Sequence, residues 1–132
     1  MSFGLLEKKL LSAIRHYRTQ EALSLLDEDI DFEATDFFPF DTPLLLSIKL
    51  GIKPVISKLI EKGADVNHLS HYFKPKDENV IFLSEGHSGQ EVNEYKCPLS
   101  EALLYEEKHN LSEEIALLRK RGAQEVDELK AK

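Results

Sequence analysis

Two apolar segments, each opened by a proline and closed by a glycine, constrain this chain more than any other feature. They run from Thr42 to Asn67. Thr42 can accept a hydrogen bond from an orphan backbone N–H and so cap a helix. Pro43 follows at the first helical position, where its missing N–H costs nothing. Leu44, Ser47 and Ile48 fall at i, i+3 and i+4, one helical face. Gly51 permits the positive φ that stops the helix. Pro54 opens a second helix, on which Val55, Ile56, Leu59 and Ile60 form an apolar stripe, and Gly63 stops it. The stretch predicts a helical hairpin with apolar stripes that need neighbours.

Thr42-Pro43-Leu44, Gly51 and Gly63-Ala64-Asp65-Val66-Asn67 resemble an ankyrin repeat, with that family's spacing between the three landmarks. Leu45, Ser47, Ile48 and Ile52 depart from the usual residues at their places. Repeats of this kind come in stacks with a period of about 33 residues. A shift of 34 towards the N-terminus lands on Leu10-Leu11-Ser12-Ala13-Ile14, where Leu10, Ala13, Ile14 and Tyr17 share a face. Thr19 is the expected cap of a second helix with Ala22, Leu25 and Leu26. Both glycines and the Thr-Pro start are missing, as befits a terminal unit with no neighbour on one side. Towards the C-terminus, Cys97-Pro98-Leu99-Ser100-Glu101-Ala102-Leu103 begins a third unit that ends at Arg121-Gly122-Ala123, with Ser112 the expected cap of its second helix.

The expected fold is therefore all-α: a short ankyrin-repeat solenoid of helix-turn-helix units forming one domain. Repeats are placed at about 5–35, 36–68 and 93–125. Leu99 lies 55 residues after Leu44, which leaves an insertion at about 71–94. Gly122 lies 59 after Gly63, which puts four more extra residues between the helices of the third unit, around Glu107–Leu111. In the insertion, Asn79-Val80-Ile81-Phe82-Leu83 has strand composition, and Glu91–Tyr95 can pair back on it. A β-hairpin and a mobile loop both fit. The tail from Gln124 is read as a short helix or a frayed end.

Composition narrows the function. With 17 basic and 24 acidic side chains the net charge is −7, which disfavours direct nucleic-acid binding and favours a basic protein partner. The single cysteine, Cys97, excludes an internal disulfide and fits a reducing, cytoplasmic setting. Early charge at Glu7 argues against a signal peptide, and no apolar run approaches the roughly 18 residues of a membrane helix. His68 and His71 have a His-x-x-His spacing with no third ligand in view, so no metal is assigned. Gly86-His87-Ser88-Gly89 departs from the Gly-x-Ser-x-Gly elbow and precedes no helix, so no catalytic residue and no cofactor is assigned.

The resemblance implies that binding occurs on finger loops and on exposed inner-helix positions. Those are Arg15 and His16 in the first unit, Phe38, Asp41, Lys49 and Leu50 in the second, and Asn93, Lys96, Leu104 and Tyr105 in the third. Exposed apolar groups at Leu50, Leu104 and Tyr105 point to a partner, unless the insertion folds back over them. Asp36, Phe37, Phe38, Phe40 and Asp41 make an aromatic and acidic loop, suited to a hot spot or to plugging the space between repeats. His71, Tyr72 and Phe73 at the start of the insertion complete the expected set. Eight carboxylates and no Lys or Arg occur from Gln20 to Ile48: Glu21, Asp27, Glu28, Asp29, Asp31, Glu33, Asp36 and Asp41. The expected function is non-catalytic protein binding by a monomer. Its most concrete form is an acidic inhibitor or immunity protein neutralising a basic, nuclease-type toxin; a scaffold, adaptor or effector role is the alternative.

Overall fold

The structure is a computed structural model and describes residues 4–35, 41–75 and 91–131. It is mostly helical. The helices are α1 (Leu5–Arg15), α2 (Thr19–Leu25), α3 (Pro43–Leu50), α4 (Lys53–Glu61), α5 (Pro98–Leu104), α6 (Glu106–His109), α7 (Ser112–Lys120) and α8 (Val126–Lys130). Strands β1 (Ser70–Pro75) and β2 (Glu91–Lys96) lie between α4 and α5 and pair antiparallel, Ser70 opposite Lys96 and Pro75 opposite Glu91.

Three helix pairs stack in sequence order. α1 packs on α2, α3 on α4, and α5 on α7; α3 lies between α1 and α5, and α4 between α2 and α7. The middle pair is therefore covered on both sides, and its sequence shows why it must be. Pro43 through Ile48 are all buried, so α3 is covered on most of its circumference, with Ser47 the one polar residue among them. On α4 the stripe Val55, Ile56, Leu59 and Ile60 is buried. Leu10, Ala13 and Ile14 of α1 and Leu99 and Ala102 of α5 continue the same core.

The turns repeat as closely as the helices. Thr42 Oγ1 accepts the Leu45 N–H at 3.2 Å, the expected cap. Tyr17, Gly51 and Asn110 occupy equivalent places and all have positive φ, at 60°, 73° and 56°. The Arg18 N–H bonds to the Ala13 carbonyl as the Ile52 N–H bonds to that of Ser47. The Ala64 N–H bonds to the Leu59 carbonyl as the Ala123 N–H does to that of Leu118. The four-residue excess of the third pair is accommodated as α6, a single turn between α5 and α7.

Several expectations are corrected. Tyr17 is not on a buried helical stripe: it lies in the left-handed turn after α1 and is 61% exposed. Thr19 and Ser112 do not cap their helices but are the first helical residues, after Arg18 and Leu111. The expected strand at 79–83 lies outside the described residues. The partner of Glu91–Lys96 is instead Ser70–Pro75, which carries His71, Tyr72 and Phe73 on a strand where a finger loop was expected. The tail forms α8, opened by a capping box between Glu125 and Glu128. No helix among the described residues is long and apolar enough to cross a membrane.

Candidate functional site

Side chains of one pair cap backbone groups of the next, and the same rung recurs along the stack. Glu33 Oε2 accepts the Asp65 N–H at 2.8 Å, and Asn67 Oδ1 accepts the Gln124 N–H at 2.8 Å. In the α1–α2 pair the equivalent acceptor is Glu7, from α1 itself, which accepts the Asp31 N–H at 2.7 Å. A cavity of about 720 Å³ opens there, beside Leu6, Glu7, Leu11, Ile30 and Ala34.

At the Glu33 rung His68 joins the carboxylate, Nδ1 to Oε1 at 3.3 Å. Potential ligand atoms of Glu33, Asp65 and His68 lie within 4.8 Å of one another, a clustering the His-x-x-His spacing did not reveal. These groups already serve the junction: Glu33 holds the Asp65 N–H, and Asp65 Oδ1 accepts the Asn67 N–H. The hydrogen bond to Glu33 raises the His68 pKa above its ordinary value, against the opposing effect of burial. Burial pushes Glu33 up, but the bonds from His68 and the Asp65 N–H outweigh it and hold the carboxyl low. The raised His68 contributes stability below its unfolded value of 6.5, lost as pH rises through the folded value; the lowered Glu33 contributes above 4.5, lost as pH falls. Both contributions are present together between these values. We expect urea denaturation to give greater stability at about pH 6 than at about pH 8, by at most about 1 kcal/mol for a half-buried pair. His68→Gln should remove that difference. An unchanged pH dependence in the variant would show that His68 does not carry it.

Half of the acidic run, Glu21, Asp27, Glu33 and Asp41, is paired within the fold. Glu21 pairs with Arg18 at 2.9 Å. Asp27 meets Lys58 at 3.1 Å and Lys62 at 3.2 Å, both from α4, and its carboxyl is held low by those bonds, Lys58 first. Asp41 is buried and pairs with buried Lys96, the last residue of β2. Lys49 Nζ stands 4.0 Å from the other Asp41 oxygen. Asp41 and Lys96 were expected as exposed contact groups; each is instead the counter-ion of the other, because burial of either charge requires a partner. Glu28, Asp29 and Asp31 remain exposed.

The inner helices α1, α3 and α5 present equivalent positions in register: Arg15 and His16, Lys49 and Leu50, Leu104 and Tyr105. The structure brings Lys49 and Tyr105 into one neighbourhood through His109. That ring stacks on Tyr105, centroids 5.8 Å apart, and its Nε2 lies 2.9 Å from the Lys49 carbonyl. Leu104 is 70% exposed, Leu50 and Tyr105 are half-buried, and Arg15 and His16 are exposed at the end of α1. Sequence reasoning missed Glu101, one turn before Leu104 and Tyr105 on the same face; the i, i+3, i+4 spacing was the signal for it. Burial raises the Glu101 carboxyl above its usual range, with Lys96 opposing, Asp41 adding and Lys49 opposing. Burial also raises the Tyr105 hydroxyl, helped by Glu101 and Asp41.

Asp36, Phe37, Phe38 and Phe40 lie outside the described residues. Asn93 lies on β2 and His71, Tyr72 and Phe73 on β1, at the base of the hairpin. Cys97 is buried; its thiol donates to the Gln124 carbonyl at 3.2 Å and does not cap α5. Neither a scan of protein-family models nor a search of curated proteins finds a match to this chain.

Proposed function

We propose that the chain is a short ankyrin-repeat solenoid that acts by binding another protein, without catalysis, as a cytoplasmic monomer. The repeat reading draws on the Thr42-Pro43-Leu44, Gly51 and Gly63–Asn67 motif, the equivalent left-handed residues and the rungs between pairs. The partner face is the row of inner-helix positions from Arg15 to Tyr105. Leu104 carries this reading: a leucine 70% exposed, in register with Lys49 and flanked by half-buried Tyr105. With half-buried Leu50 and Tyr105 on the same row of positions, it extends the apolar surface of the inner face, which favours a contact surface.

In its most concrete form the partner is basic and the chain is its inhibitor, as an immunity protein neutralises a nuclease-type toxin. The net charge of −7 and exposed Glu28, Asp29 and Asp31 favour this. The adaptor reading draws on a different observation. Half of the acidic run is neutralised internally, and Arg15 and Lys49 make the partner face mixed in charge. Capture from native lysate, followed by activity assay of the captured protein, separates the two. Inhibition of a basic enzyme supports the first; binding with no loss of activity supports the second. For either, Leu104→Asp should weaken the captured complex at least about thirtyfold while leaving the free chain folded by circular dichroism. Affinity equal to wild type would remove the inner face as the contact surface.

A further inference from the structure

Glu101, Leu104 and Tyr105 form a strip on one face of α5 and the turn after it. In the free chain Glu101 and Leu104 lack a protein partner among the described residues, and Tyr105 is held in place beside them. The Glu101 carboxylate is half-buried, and no donor among the described residues reaches it within hydrogen-bond distance. A half-buried carboxylate that no protein donor reaches keeps lone pairs that a cationic donor can fill. Leu104 is largely in water. Tyr105 is fixed by the His109 ring stacked against it at 5.8 Å. Equivalent positions to Glu101 on the other inner helices are Ser12 and Leu46, so the third unit alone carries a charge there.

Two cations lie near, and both approach Asp41 closely. Lys96 is in direct contact with Asp41 and buried with it. Lys49 leans towards the same Asp41 at 4.0 Å. The four groups Asp41, Lys49, Lys96 and Glu101 sum to no net charge; both lysines act on Glu101 through space, but their close approaches are to Asp41.

We propose that this strip receives an arginine side chain of the protein partner, its guanidinium on the Glu101 carboxylate and beside the Tyr105 ring, its methylene stem over Leu104. The inference rests on the inner-face reading above and names the chemistry of its ligand. A guanidinium is weakly hydrated, presents a planar fork to a carboxylate and stacks on aromatic rings; an ammonium does none of these as well. An anionic group would meet Glu101 and Asp41 and find the nearest cation already engaged.

The test is a ¹H–¹⁵N NMR titration of the whole chain with N-acetyl-arginine amide, and with the lysine and glutamate equivalents. Arginine amide should shift the Glu101, Leu104 and Tyr105 amides most, lysine amide less, glutamate amide not at all. Glu101→Gln should abolish those localised shifts and weaken the captured partner about tenfold, the worth of one charge-assisted hydrogen bond. Shifts scattered over the surface, shifts unaffected by Glu101→Gln, or a preference for the glutamate amide would each overturn the proposal. Its failure is separable from that of the inner-face reading. A partner weakened by Leu104→Asp but indifferent to Glu101→Gln defeats the arginine alone. A partner indifferent to Leu104→Asp defeats the face, whatever the amide does.

Discussion

Gly51→Ala is expected to destabilise the chain by about 3 kcal/mol or more, combining left-handed strain with overpacking. Gly51 has φ +73°, where a Cβ costs roughly 1–2 kcal/mol. A Cβ there would also stand 2.4 Å from His109 Cγ, a distance no contact tolerates. The ring cannot retreat freely, because Nε2 is bound to the Lys49 carbonyl and the opposite side meets Tyr105. Strain and collision are separable. Gly51→Ala combined with His109→Ala removes the collision and keeps the strain, so the double variant should be less destabilised than the two single effects added. Tyr17 and Asn110 hold the same conformation without glycine, so Tyr17→Gly should be neutral or slightly stabilising. Urea denaturation of wild type, the three variants of this cycle and Tyr17→Gly reads all of this. A Gly51→Ala variant within about 1 kcal/mol of wild type would mean that the His109 ring is not held where the structure places it.

That glycine illustrates what a single sequence can and cannot disclose. Its stop signal was legible, because Thr42, Pro43, Gly51, Pro54 and Gly63 act locally, through capping and backbone φ. The helix pairs were legible for the same reason, down to the four residues that became α6. The ring that covers Gly51 was not, since His109 comes from that excess turn, and no periodic pattern reports where an extra turn points. The first strand failed differently: Ser70–Pro75 contains His71, Lys74 and Pro75, a poor strand by composition, whereas Asn79–Leu83 looked better. Pairing with Glu91–Lys96 overrides composition, as tertiary context does for strands generally. Charge was hardest to read. Asp41 and Lys96 are far apart in sequence, and a tally of carboxylates from Gln20 to Ile48 carries no information about α4 lysines or the end of β2.

The consequence falls on the experiment that the sequence recommends. Reversing Asp41 to test an acidic contact would report folding and not binding, because Asp41 is buried against Lys96. Lys96→Met leaves that carboxylate in the interior with Lys49, 4.0 Å from it, as its one cation among the described residues, and should cost about 3–5 kcal/mol. Lys96 ends β2 opposite Ser70 at the start of β1, so the ion pair ties the open end of the hairpin to the residue before the Thr42 cap. Loss of the pair should therefore raise amide hydrogen exchange in β1 and β2 before it affects α4 or α7. Asp41→Asn with Lys96→Met removes both charges together and should recover most of the stability, since a neutral pair carries no uncompensated ion. Full recovery would mean that the pair adds little net stability and that its role is to hold the hairpin's position. A single Lys96→Met variant as stable as wild type, with unchanged exchange in both strands, would instead place Lys96 in water and return Asp41 to the surface as a contact group.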